Sequence, residues 1–204
     1  MLCLHRHDSE SSSARKQLGT LMLNFAMLLC LLLLSLPLAA QHSPSPEYQA
    51  KANFLSKFPI FVEWPEGALP PSPGPFLLCV FGDFAFGTSL AEVTRGTSVH
   101  ERRVEIRWVR KEQELHSCQI LFVSRSQQKR YSQVLEAVRG QSVLTVGETT
   151  EFLDAGGIVS FAMQQETLQF EVNLGEANKV HLRISSQMLA LARRVVLMTE
   201  AAKT

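Results

Sequence analysis

The chain has 204 residues, a formal net charge of +1 and 46% hydrophobic residues. That is enough apolar chain for one domain with a real core, and too balanced in charge for a general attraction to nucleic acid. Of the 20 Lys+Arg and 19 Asp+Glu, only Arg6, Arg15, Lys16, Asp8 and Glu10 precede residue 41, leaving 17 of each sign beyond it.

The first element is a leader. Arg15 and Lys16 precede the apolar stretch Leu18–Ala40, and Pro37, Ala39 and Ala40 close it. A charged start, an apolar run and a small-residue exit predict a signal peptide over residues 1–40, with residues 1–14 as an over-extended start. An uncleaved membrane anchor is the rival reading, because the run is long. Both place residues 41–204 outside the cytoplasm. QHSPSPE, residues 41–47, reads as a linker, and residues 48–204 read as one domain.

From Glu47 the pattern is helical, with Tyr48, Lys51/Ala52, Leu55 and Phe58 at steps of three and four, until Pro59 interrupts it. Trp64 before Pro65 is restricted to extended geometry, and GALPPSPGP is a loop by composition. PFLLCVFG is a continuous apolar run of strand length, which predicts a strand covered on both faces. The GDFAFG that follows lacks the Lys and Ser/Thr of a phosphate loop, and its phenylalanines would crowd a pyrophosphate. A short helix TSLAEVTRG ends at Gly96. RRVEIRWV alternates, with Val104, Ile106 and Trp108 on one face, and reads as a half-exposed or edge strand. Its arginines read as a wet strand face.

CQILFVS is a second apolar strand. SRSQQKRYSQVLEAVRG reads as an amphipathic helix with Tyr131, Val134, Leu135 and Val138 facing inward and Gly140 as its stop. SVLTVGE is a third strand, and ETTEFLDAGG a short helix. GIVSFAMQ and TLQFEVNL, parted by a polar turn, read as a β-hairpin. Ser185 or Ser186 can cap a last helix that carries Met188, Leu189, Leu191 and Ala192 on its core side. Apolar strands alternating with helices predict a three-layer α/β/α sandwich, with a mostly parallel sheet and a C-terminal antiparallel hairpin at one edge.

Chemistry is sparse. Beyond the leader the histidines are His42, His100, His116 and His181, with no nucleophile elbow to serve. No metal-ligand spacing occurs, so neither a metal nor a cofactor is expected. No residue set argues for catalysis; a thiol enzyme using Cys79, or Cys118 beside His116, is the rival reading. Cys79 and Cys118 remain as an even pair in an oxidising compartment, either as a bridge or as two buried thiols. Arg183, beside the helix start at Ser185, is a candidate anion site, or an arginine paired with a structural carboxylate. Glu171 and Asn173 share a strand face, turned to a partner or to water, with Phe161 on the same hairpin.

The ordered motifs FVEWP (61–65), LCVFGD (78–83), CQILFVS (118–124), LTVGE (144–148), GGIV (156–159), FEVN (170–173) and LRISSQML (182–189) resemble the YfiR family of periplasmic repressors. The likeness runs from Tyr48 to Val196. It implies an α/β protein of the periplasm with a Cys79–Cys118 disulfide and no enzymatic activity. It implies repression of an inner-membrane diguanylate cyclase, and so of cyclic-di-GMP signalling, by binding the cyclase's periplasmic sensor domain. An OmpA-like outer-membrane lipoprotein would remove the repressor. Another receptor, such as a histidine kinase fed by a small-ligand sensor, is the alternative. Partner contact falls to Glu171, Asn173 and Phe161, and ligand contact to Arg183 and Ser185. A homodimer through an exposed sheet edge also fits. Some relatives carry a second bridge near LTV…GG, but Gly147–Ser160 holds no cysteine here. Pro59 replaces a helix-friendly residue and predicts a kinked first helix.

Overall fold

Among the described residues, eight strands form one sheet and two short strands pair separately. The computed structural model describes residues 45–83 and 85–197, all within the unit His42–Thr204. The leader expected over residues 1–40 and the first part of the linker lie outside them, as does Phe84. The linker is shorter than 41–47, because Ser45 already caps helix α1 (Pro46–Lys57): its hydroxyl accepts from the Tyr48 N–H, and Pro46 sits where no donor is needed. A 3-10 turn at Phe58–Phe61 takes over at Pro59, so the helix ends rather than kinks.

The remaining elements follow in order. They are β1 (Val62–Glu63), β2 (Phe76–Phe81), α2 (Ser89–Thr94), β3 (Ser98–Val99), β4 (Arg102–Val109) and β5 (Ile120–Val123). Then come α3 (Tyr131–Ala137), β6 (Leu144–Gly147), α4 (Thr150–Asp154), β7 (Val159–Gln164) and β8 (Thr167–Asn173). The last elements among the described residues are α5 (Leu174–Lys179), β9 (Arg183–Ile184), α6 (Ser186–Leu191) and β10 (Arg194–Val196). Strands β4, β2, β5, β6 and β7 are parallel neighbours; β8 is antiparallel to β7, and β10 is parallel to β8.

The two-residue period of β2 explains the layers. Phe76, Leu78 and Val80 join one core with Leu55 of α1, Leu90 of α2 and Met188 of α6. Leu77, Cys79 and Phe81 join a second core with Leu115, Val134 of α3 and Phe152. Both faces of the sheet are therefore covered, which is why β2 and β5 read as unbroken apolar runs. The mixed α/β class, the parallel strands and the antiparallel hairpin agree with the three-layer reading.

The C-terminal segment departs from the helical reading. Helix α6 stops at Leu191 because Ala192 is extended, and the β-branched pair Val195 and Val196 continues as β10 beside β8. Leu191, expected on the core side, is 68% exposed. The 125–130 part of the expected amphipathic helix is a 3-10 turn, opened by the Ser124 hydroxyl accepting from the Ser126 N–H.

Candidate functional site

The hairpin residues expected to meet a partner are interior. Glu171, Asn173 and Phe161 are each 1% exposed. They also divide between the two faces of the sheet. Phe161 lies opposite Phe170 in the ladder and packs on α1, with ring centroids 5.9 Å from Phe58 and 6.0 Å from Phe54. Glu171 points the other way. All three side chains have partners inside the fold.

Glu171 is held by the neighbouring strand. Its Oε2 accepts from Arg194 at 3.1 Å (Nε) and 2.6 Å (Nη2), and its Oε1 accepts from Arg193. Burial pushes this carboxyl up, but the hydrogen bonds from Arg193 and Arg194 outweigh it and hold it below the usual range. What reaches solvent is the half-exposed pair of guanidinium groups, two cations on one carboxylate. Asn173 caps α5: its side-chain oxygen accepts from the Glu176 N–H at 3.1 Å.

The positions proposed for an anion are near the surface. Arg183 Nε lies 3.7 Å from Glu63 Oε2, and both side chains are exposed. The Ser185 hydroxyl accepts from the Met188 N–H at 3.3 Å and is committed to the start of α6. Beside them a groove of about 460 Å³ is lined by Trp64, Asn178, His181 and Arg183 among others. Trp64 Nε1 is buried and has no hydrogen-bond partner among the described residues.

Cys79 and Cys118 are bridged, with Cα atoms 5.8 Å apart. The bridge ties the middle of β2 to the entry of β5, inside the second core. Among the described residues no group of three or more His, Cys, Asp or Glu could hold a metal.

The most constrained polar cluster was not anticipated. Lys51, 1% exposed, donates to Glu148 Oε1 at 2.6 Å and also to Glu47. Glu148 Oε2 accepts from the Arg125 N–H at 2.6 Å. Burial and the Glu148 charge push the Tyr48 phenol up, and the Lys51 ammonium stands 4.4 Å from the Tyr48 ring centroid. This cluster lies at the carboxyl end of β6, next to the ends of β2 and β5. There the chain leaves β2 toward β4 on one side and later returns to β5 on the other, the place where open α/β sheets usually bind ligands. Here the two loops touch. Gly82 has φ +119°, and a Cβ on it would stand 2.6 Å from Ser124 Cβ. The Asp83 N–H donates to Ser126 Oγ at 3.3 Å. Phe86 stacks edge-on against Phe122 (4.8 Å) and Tyr48 (5.2 Å), so α1 seats over the crevice. The signal for this was Lys51 itself, a lysine on the inward stripe of an otherwise apolar helix face.

A family model described as YfiR/HmsC-like matches residues 48–193. No curated protein matches the chain. Among solved structures, the ABC domain in complex with L-Trp from Streptococcus pneumonia has a TM-score of 0.48 at 14% identity, over 74% of this chain and 60% of that one. A conserved domain protein from Vibrio cholerae has a TM-score of 0.49 at 11% identity, over 75% and 61%. The chain thus spans about three fifths of the solved chains it matches. It belongs to the YfiR/HmsC-like family, which at family level supports a periplasmic regulator of cyclic-di-GMP signalling.

Proposed function

We propose that this YfiR/HmsC-like protein is exported to the periplasm and represses an inner-membrane diguanylate cyclase by binding the cyclase's periplasmic sensor domain. The family match over residues 48–193 carries this reading. The repressor would act by linkage: it binds one state of the sensor and shifts the population toward it. An OmpA-like outer-membrane lipoprotein competing for the same protein would relieve the repression. The repressor contributes no chemistry; the polar side chains described above, Glu171, Asn173, Ser185 and Glu148, are used to hold the fold.

The test has two parts. Purified residues 41–204 are titrated against the purified periplasmic domains of the host's membrane diguanylate cyclases, and cellular cyclic-di-GMP is measured with and without the gene. Binding to one domain, and a rise in cyclic-di-GMP on deletion, are expected. Unchanged cyclic-di-GMP overturns the reading. Export is read from the N-terminus of the mature protein: a start at residue 41 is expected, and retention of Leu18–Ala40 would make the chain membrane-anchored instead.

A second reading, a small-ligand sensor for a receptor such as a histidine kinase, is favoured by the groove beside Arg183, lined in part by Trp64, whose buried indole N–H has no partner among the described residues. It predicts that a small carboxylate quenches Trp64 fluorescence and that Arg183→Ala abolishes the effect.

A further inference from the structure

The sheet ends at β4 and β3, and that end is open. Strand β3 pairs with β4 only through Ser98 with Arg103 and Val99 with Arg102. The Val104 N–H, pointing away from β2, is taken by the Thr97 carbonyl at 3.1 Å. Beyond it, no strand of the described residues runs along the outer side of residues 105–109. The two-residue period turns the Ile106 N–H and carbonyl to that same outer side. Open strand edges are templates for another strand.

The edge carries a cluster of cations. Arg95, Arg102, Arg103, Arg107, Arg110 and Lys111 lie on or next to it; Glu101 and Glu105 lie among them, and Glu92, Glu112 and Glu114 lie on the flanking helix and turn. None of the six cations is ion-paired with a carboxylate among the described residues, whereas Arg130, Arg139, Lys179, Arg193 and Arg194 all are. Arg102 instead donates to the backbone carbonyls of Pro70 and His100, and Arg107 to the Ser117 hydroxyl. Between α2 and β4 runs a groove of about 670 Å³ with Ala91, Ile106 and Trp108 in its lining, and Arg95 and Arg103 as its only charged residues. Trp108 is 37% exposed.

We propose that the outer edge of β4 receives an extended, acidic segment of a protein partner as an added strand. Main-chain pairing at Ile106 sets its position. Alternate apolar side chains enter the groove over Ile106 and Trp108, and the intervening carboxylates meet Arg103 and Arg107. The proposal rests on reading the chain as a binding protein, and it names the face and the kind of segment that a partner offers.

The probe is a fluorescently labelled Glu-Val-Glu-Val-Glu-Val-Glu peptide with blocked ends, titrated with intact residues 41–204. Binding is expected, and it should weaken as salt rises from about 0.05 to 0.5 M. The Lys-Val counterpart should not bind. Arg103→Glu/Arg107→Glu should weaken binding at least tenfold, and so should Ile106→Pro, which removes an edge donor that β2 does not use. Lys129→Glu, on an exposed turn elsewhere, should leave it unchanged. Equal binding of the two peptides, or indifference to both edge variants, overturns the proposal. So does arginine-dependent sedimentation with phosphatidylglycerol vesicles while the acidic peptide fails to bind, since the edge would then serve a lipid surface. If a variant does not fold, the salt series and the two peptides on the unaltered protein still decide. The titration reads the edge alone and cyclic-di-GMP output reads regulation, so either reading can fail without the other.

Discussion

Lys51 and Glu148 show how little a residue's class says about its work. Both are essentially buried, and their separation of 97 residues makes the pair a clamp between α1 and the end of β6. Removing one member of such a pair strands the other charge in a place that water does not reach. Lys51→Met should therefore cost about 3 kcal/mol in a denaturant melt, and Lys51→Met/Glu148→Leu should cost less than the single change. Equal damage from both variants would mean that packing, not charge, sets the cost. Glu171 makes a pH prediction. Its carboxyl is held below the ordinary range in the folded chain, so its contribution is present above about pH 4 and is lost as pH falls through the folded value. Solvent at the two half-exposed arginines screens the interaction, so Glu171→Gln should lose about 1–2 kcal/mol at neutral pH. The difference from the parent should shrink as pH falls below the ordinary carboxylate range and through the lowered folded value, as read by melts in increasingly acidic buffer.

Among the elements, β2 is the one to which most others are referred. It is paired on both sides, buried on both faces and bridged to the entry of β5 by Cys79–Cys118. In the chain-entropy model, closing a loop across 39 residues constrains the unfolded state by about 4 kcal/mol, and real bridges often deliver less. Native protein should show no titratable thiol, and reduction should lower the melting temperature by roughly 5–15 °C. In residues 41–204, where Cys79 and Cys118 are the only cysteines, a single free thiol before reduction would contradict the bridge. This part of the fold was legible in the sequence, because two-sided burial leaves an unbroken apolar run that flanking glycine and polar residues bound. The last thirty residues were less legible. Helix α5 depends on one side chain, Asn173, as its cap, and ARRVVL reads equally well as helix or strand. Its pairing with β8 is a long-range contact, which local periodicity does not encode. The same contact holds Glu171 against Arg194.

At the scale of the sheet, the switch point between β2 and β5, where open α/β sheets usually leave a crevice, is closed. Gly82 brings the loop after β2 against Ser124, Phe86 fills the space between Phe122 and Tyr48, and the Lys51–Glu148 pair fastens α1 above them. A side chain at Gly82 would meet Ser124 and also be strained at φ +119°, so Gly82→Ala should be among the more damaging single-methyl additions in the chain. The closed crevice bears directly on regulation. If the protein sensed a nucleotide at this position, α1 would have to leave its seat and the buried ion pair would have to open. GTP or cyclic-di-GMP at millimolar concentration should therefore leave the melting temperature unchanged. A ligand present at a hundred times its dissociation constant adds about 2.7 kcal/mol of stability, which is a rise of roughly 5–10 °C for a chain of this size. A rise of that order would show that α1 yields to the nucleotide. Its absence would place communication with partners on the outer surfaces, where the open strand edge lies beside arginines that have no carboxylate partner among the described residues.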